Sequence, residues 1–126
     1  MNLQGKRVLI VEDEVLLSMM LEDVFSDAGA QVVGPAATVE QAMALIAAEV
    51  IDVALLDVFL RDQRSDPVAE ILRQRGVPYV LATGYNNPQG AELASAPTLQ
   101  KPYRLDQLEA SLIAALLANE NQDVAR

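Results

Sequence analysis

The chain has 126 residues, 52% of them hydrophobic, the size of one ordinary domain with a sizeable core. Nine Lys and Arg against 18 Asp and Glu leave a net charge of −9. This disfavours a nucleic-acid surface, where phosphate repulsion would have to be overcome, and favours metal ions or basic protein faces as partners. With neither Cys nor His, the sequence offers no disulfide framework, no thiolate chemistry and no imidazole base of its own.

Short apolar runs alternate with helical patterns from end to end, the signature of a parallel sheet covered by helices on both faces. Val8 to Val11 is the first strand, and it is too short for a signal-peptide core. Leu17, Met20, Leu21, Val24 and Ala28 then recur at helical spacing, predicting a first helix from Glu14 to Ala28 that stops at Gly29. Gln31 to Ala36 follows as the second strand. Thr38-Val39-Glu40-Gln41 has the form of a capping box, and Ala42, Leu45, Ile46 and Val50 continue a helical face beyond it.

Val53 to Leu56 is the central strand, and Arg61 to Ser65 is a polar, solvated loop. Asp66-Pro67 reads as an N-cap with proline in the first turn, opening a helix that ends near Gly76. Tyr79 to Ala82 is the fourth strand. A short helix is expected over Gln89 to Ala94, then a fifth strand over Thr98 to Gln100 and a last helix over Leu105 to Ala118. The stretch Ser111 to Ala118 is too short to span a bilayer, so a soluble cytoplasmic protein is expected. Residues 119–126 read as a polar tail that frays.

Five βα units imply a flavodoxin-like (βα)5 doubly wound parallel sheet with strand order 2-1-3-4-5, one domain over 1–126 with its core at about 5–118. In such sheets ligands bind beyond the carboxyl ends of the strands. That rule selects Glu12-Asp13-Glu14, Asp57, Thr83-Gly84 and Lys101. Each alone has a plain explanation: an acidic helix start, a strand-end turn, a turn, and a surface lysine beside Pro102. Asp57 is harder to dismiss, because IDVALLDVFL places a costly carboxylate in the most apolar run of the chain.

Together, four strand ends deliver clustered carboxylates, a hydroxyl and an ammonium to one side of one sheet. Clustered carboxylates resist ionising unless a hard cation neutralises them, and Mg²⁺, which shares its shell with phosphate oxygens, is the natural candidate. The remaining groups then suit phosphoryl transfer. Asp57 can be the nucleophile, Lys101 can hold one phosphoryl oxygen, and the Thr83 hydroxyl can donate to another.

These residues, in this order and spacing, closely resemble the response-regulator receiver family over essentially the whole chain. The resemblance implies that Asp57 takes a phosphoryl group from a partner histidine kinase or phosphotransfer protein. It implies Mg²⁺ held by Asp13, Asp57 and the Phe59 carbonyl, with Glu12 acting through water, and a cis Lys101-Pro102 peptide. Leu81-Ala82-Thr83-Gly84-Tyr85 further resembles a subgroup marked by Phe-Ala-Thr-Gly-Tyr, with Leu81 in place of Phe. Many members of that subgroup are bacterial stand-alone receivers or stress-signalling regulators.

The family's usual aromatic switch position holds Thr98, so Thr83 and Tyr85 are the switch candidates. Phe59 is expected to shield an acyl phosphate, and the family's usual Pro-Gly or Asp-Gly loop is replaced by Arg61-Asp62-Gln63-Arg64. The expected product is a phosphoacceptor signalling domain, not an enzyme in the ordinary sense, acting as a monomer or a phosphorylation-dependent homodimer on a downstream protein. Its target surface is expected around Arg104, Gln107 and Ser111. Two alternatives stand beside it: a phosphorylation-independent pseudo-receiver, and a Mg²⁺-dependent aspartyl phosphatase, disfavoured by Phe59 where such enzymes carry a second Asp.

Overall fold

Alternation along three strands decides the architecture. In a computed structural model that describes residues 2–61, 63–84 and 96–125, with side chains as far as 120, β1 (Arg7–Val11) sends Val8 and Ile10 to one hydrophobic cluster and Leu9 and Val11 to another. β3 (Val53–Asp57) divides Val53 and Leu55 from Ala54 and Leu56 in the same way, and β6 (Tyr79–Thr83) divides Val80 and Ala82 from Tyr79 and Leu81. Successive side chains point to opposite faces, so strands apolar on both must be covered on both.

The cover is supplied by helices. Leu21 and Phe25 of α1 (Val15–Asp27) and Leu108 and Leu112 of α4 (Leu105–Ala125) fill one cluster. Ala42 and Ile46 of α2 (Val39–Ala48) and Val68 and Leu72 of α3 (Asp66–Gln74) fill the other. Each fully buried leucine contributes about 1.5–3 kcal/mol. With β2 (Gln31–Ala36) and β7 (Thr98–Gln100) at the edges, the sheet runs β2-β1-β3-β6-β7, every pairing parallel. This is the expected flavodoxin-like order.

Local signals set the helix ends. At Gly29 (φ +83°) and Gly76 (φ +70°) the chain turns left-handed, and the next N–H reaches back five residues, Ala30 to the Phe25 carbonyl at 3.0 Å and Val77 to Leu72 at 2.9 Å. At the start of α2 the Thr38 hydroxyl accepts from the Gln41 N–H at 3.1 Å. Gln41 returns its side chain to the Ala37 N–H at 2.8 Å, one residue outside the expected box.

Four expectations change. α2 ends at Ala48 and Val50 is 70% exposed, because Arg7 draws this segment outward through the Val50 carbonyl (2.6 Å) and Glu49 carboxylate (2.6 Å). The N-cap of α3 is Ser65 and not Asp66, whose carboxylate is taken by Arg64. The supposed loop after Asp57 is a small antiparallel hairpin of β4 (Phe59–Leu60) and β5 (Gln63–Arg64), turning at Arg61 (φ +57°). Finally, the last helix does not stop at Ala118; α4 continues to Ala125, in keeping with the helix-forming residues Glu120 and Ala125. The short helix expected over Gln89 to Ala94 lies outside the described residues. Among those described, no helix is long and apolar enough to cross a membrane.

Candidate functional site

Parallel pairing puts every strand's carboxyl end on one edge of the sheet, and the chemistry-bearing residues lie there. Asp57 closes β3 with its Cα paired to Ala82, Thr83 closes β6, Glu12 follows β1, and Lys101 follows β7. Glu12, Asp57 and Thr83 are buried, at 4%, 6% and 1% exposure. Neighbouring backbone fixes Glu12: its N–H donates to the Ala36 carbonyl at 2.9 Å, its carboxylate accepts from the Glu14 N–H at 3.0 Å, and its carbonyl accepts from the Ser18 hydroxyl at 3.3 Å.

Lys101 unites the acidic groups. Its N–H donates to the Thr83 carbonyl at 2.8 Å, and its peptide bond to Pro102 is cis. The ammonium stands 2.7 Å from Glu12 Oε1, 3.0 Å from Asp57 Oδ2 and 3.5 Å from Glu14 Oε2. Burial, reinforced by the charge of Glu12 and only partly offset by Lys101, pushes the Asp57 carboxyl up to about 7. Burial alone would lower Lys101; hydrogen bonding to Glu12 and the attraction of Asp57 outweigh it, and Lys101 is held above the usual lysine range.

Asp13 completes the cluster, its Oδ2 accepting from the Arg61 N–H at 2.9 Å. One oxygen from each of Glu12, Asp13 and Asp57 lies within 4.8 Å of the others. An all-oxygen set carrying more negative charge than one ammonium offsets fits a hard divalent cation, which would offset the Glu12 repulsion that adds to burial in raising Asp57. Beside it, between α1, Pro35, Ala37 and Arg61, opens a groove of about 160 Å³.

Glu12, Asp13, Asp57 and Lys101 are therefore brought together as expected, and the Phe59 N–H donates to Asp57 Oδ1 at 3.4 Å. Tyr85 lies outside the described residues. Of the expected target surface, Arg104 and Gln107 are exposed and Ser111 is half-buried. Glu14, selected from the sequence with its neighbours but given no role, stands 3.5 Å from the Lys101 ammonium. One contributor escaped the sequence reading, the Arg61 N–H, since no side-chain pattern reveals a backbone donor.

The chain belongs to the response regulator receiver domain family of two-component systems, whose model matches residues 8–113. It is 31% identical over 108 residues to the transcriptional regulatory protein PdtaR of Mycobacterium tuberculosis, covering 82% of this chain and 53% of that protein. This chain thus spans about half the length of that relative. The solution structure of SdrG from Sphingomonas melonis Fr1 is similar at 42% identity and a TM-score of 0.77, covering 93% of this chain and 99% of that one. The solution structure of the BeF3-activated conformation of SdrG from Pseudomonas melonis Fr1 is similar at 40% identity and a TM-score of 0.74, covering 90% of this chain and 98% of that one.

Proposed function

We propose that this receiver accepts a phosphoryl group on Asp57 from a phosphohistidine of a partner kinase or phosphotransfer protein, and signals through protein contacts. The observation that carries this reading is the convergence on Asp57: Lys101 Nζ at 3.0 Å, with Glu12 and Asp13 at the same sheet edge. An Asp57 carboxylate oxygen attacks phosphorus, the donor's P–N bond breaks, and its electron pair remains on the imidazole nitrogen. The product is a mixed anhydride. The donor histidine lies outside these 126 residues, which contain none.

Lys101 is the group best placed to hold a phosphoryl oxygen as charge develops on it, and the Thr83 hydroxyl is proposed to bond another. Asp13, Asp57 and the Phe59 carbonyl, with Glu12 adjoining, are the proposed Mg²⁺ holders; the bound ion supplies charge neutralisation to the transferring group. The BeF3-activated structure of SdrG supports the reading, because beryllofluoride stands in for a phosphoryl group on a carboxylate.

Incubation with radiolabelled acetyl phosphate tests it. Label should enter the chain only with Mg²⁺ present and should vanish in Asp57→Asn. Persistent label in that variant, or none in the parent chain with any phosphodonor, would overturn it.

A further inference from the structure

The hairpin that replaces the expected loop is tied to the acidic cluster at two points. The Phe59 N–H reaches Asp57 Oδ1 at 3.4 Å and the Arg61 N–H reaches Asp13 Oδ2 at 2.9 Å. So two of the three clustered carboxylates are held by main-chain donors of one short segment.

That segment has its own brace. Phe59 and Arg64 are direct cross-strand partners, and the Arg64 guanidinium carbon lies 5.2 Å from the centre of the Phe59 ring. The same guanidinium grips Asp66 with Nε at 2.7 Å and Nη2 at 3.4 Å. Its Nη1 is buried with no hydrogen-bond acceptor among the described residues, and the stack and the Asp66 fork are the contacts that hold the side chain there. Behind it, fully buried Ser65 directs both its N–H (2.9 Å) and its hydroxyl (3.2 Å) to the Val58 carbonyl.

We infer that Arg64 is a positioning residue for the acidic pocket: clamped between the Phe59 ring and Asp66, it fixes the hairpin whose Phe59 and Arg61 N–H groups aim Asp57 and Asp13. Arg64 touches neither carboxylate and acts through the main chain. A lysine cannot replace it, because an ammonium offers neither the planar stack nor the two-pronged grip.

Amide hydrogen exchange in the metal-free protein tests this directly. In Arg64→Gln and Arg64→Lys, exchange at Phe59 and Arg61 should quicken at least about tenfold while the amides of β1 and β3 stay protected. Phe59→Leu should reproduce the effect and Phe59→Tyr, which keeps a ring face, should not. Mg²⁺ affinity should fall by about 10-fold in the Arg64 variants, the scale of losing a group that orients a ligand. Unchanged exchange at Phe59 and Arg61 in folded Arg64→Gln would overturn the inference; were that variant to unfold, Phe59→Leu and Asp66→Asn decide it by the same measurement. The affinity arm rests on the function proposed above. Absence of Mg²⁺ binding in the parent chain would sink that function and leave the exchange result to judge Arg64.

Discussion

Lys101 Nζ lies 3.0 Å from Asp57 Oδ2 while holding Glu12 Oε1 still closer, at 2.7 Å. One ammonium thus ties the proposed phosphoryl acceptor to the acidic group that most strongly opposes its ionisation. Lys101→Met should leave the sheet intact and slow labelling by acetyl phosphate roughly 100-fold, the scale of removing one preorganised donor. Equal initial rates in the variant and the parent would remove Lys101 from the reaction.

A second expectation concerns pH. Asp57 rises from 3.8 to about 7 on folding, so between those values the metal-free folded state binds more protons than the unfolded one. Stability attributable to this group is therefore present at low pH and falls as pH rises from about 4 to about 7. The whole shift corresponds to an upper bound on the order of 4 kcal/mol, and Asp57→Asn, which also deprives Lys101 of a partner, should gain about 1–3 kcal/mol at pH 7.5. Urea unfolding of both proteins at pH 4 and pH 7.5 checks the sign: the variant's advantage should appear only at the higher pH.

Phe59 follows the proposed acceptor by two residues, half-buried under Arg64. If its ring keeps water from the anhydride, Phe59→Asn should shorten the lifetime of phosphorylated protein several-fold. The decay of label after removal of donor measures it. An unchanged half-life counts against shielding.

Metal dependence gives the fourth expectation. Asp13→Asn keeps an oxygen at the Arg61 N–H but removes a charge from the cluster, so Mg²⁺ affinity should fall by at least about tenfold. Calorimetric titration reads this directly, and excess chelator should abolish labelling of the parent chain.

Where an expectation rested on local chemistry or strand periodicity, it was legible. The two glycine stops, the Thr38 cap and the alternation of β1, β3 and β6 are written in adjacent residues, and parallel pairing then carries Glu12, Asp57, Thr83 and Lys101 to one edge without further information. The hairpin over 59–64 was not legible, because Arg61-Asp62-Gln63-Arg64 has no turn glycine and two-residue strands have no period to read. Val50 was misread for a related reason: its helical spacing is genuine, but Arg7, 43 residues away, decides where the helix lets go.

By itself, then, the sequence determined the doubly wound sheet and which strand ends carry acids and a lysine, since those follow from periodicity and the handed, parallel connection of strands. Tertiary structure decided how those groups are charged and aimed. Burial beside Glu12 raises Asp57, the reach of Lys101 sets which carboxylates share its ammonium, and the Phe59, Arg64 and Asp66 brace fixes the main-chain donors on Asp13 and Asp57. Desolvation and hydrogen bonding depend on distances between residues remote in the chain, and those exist only once it has folded.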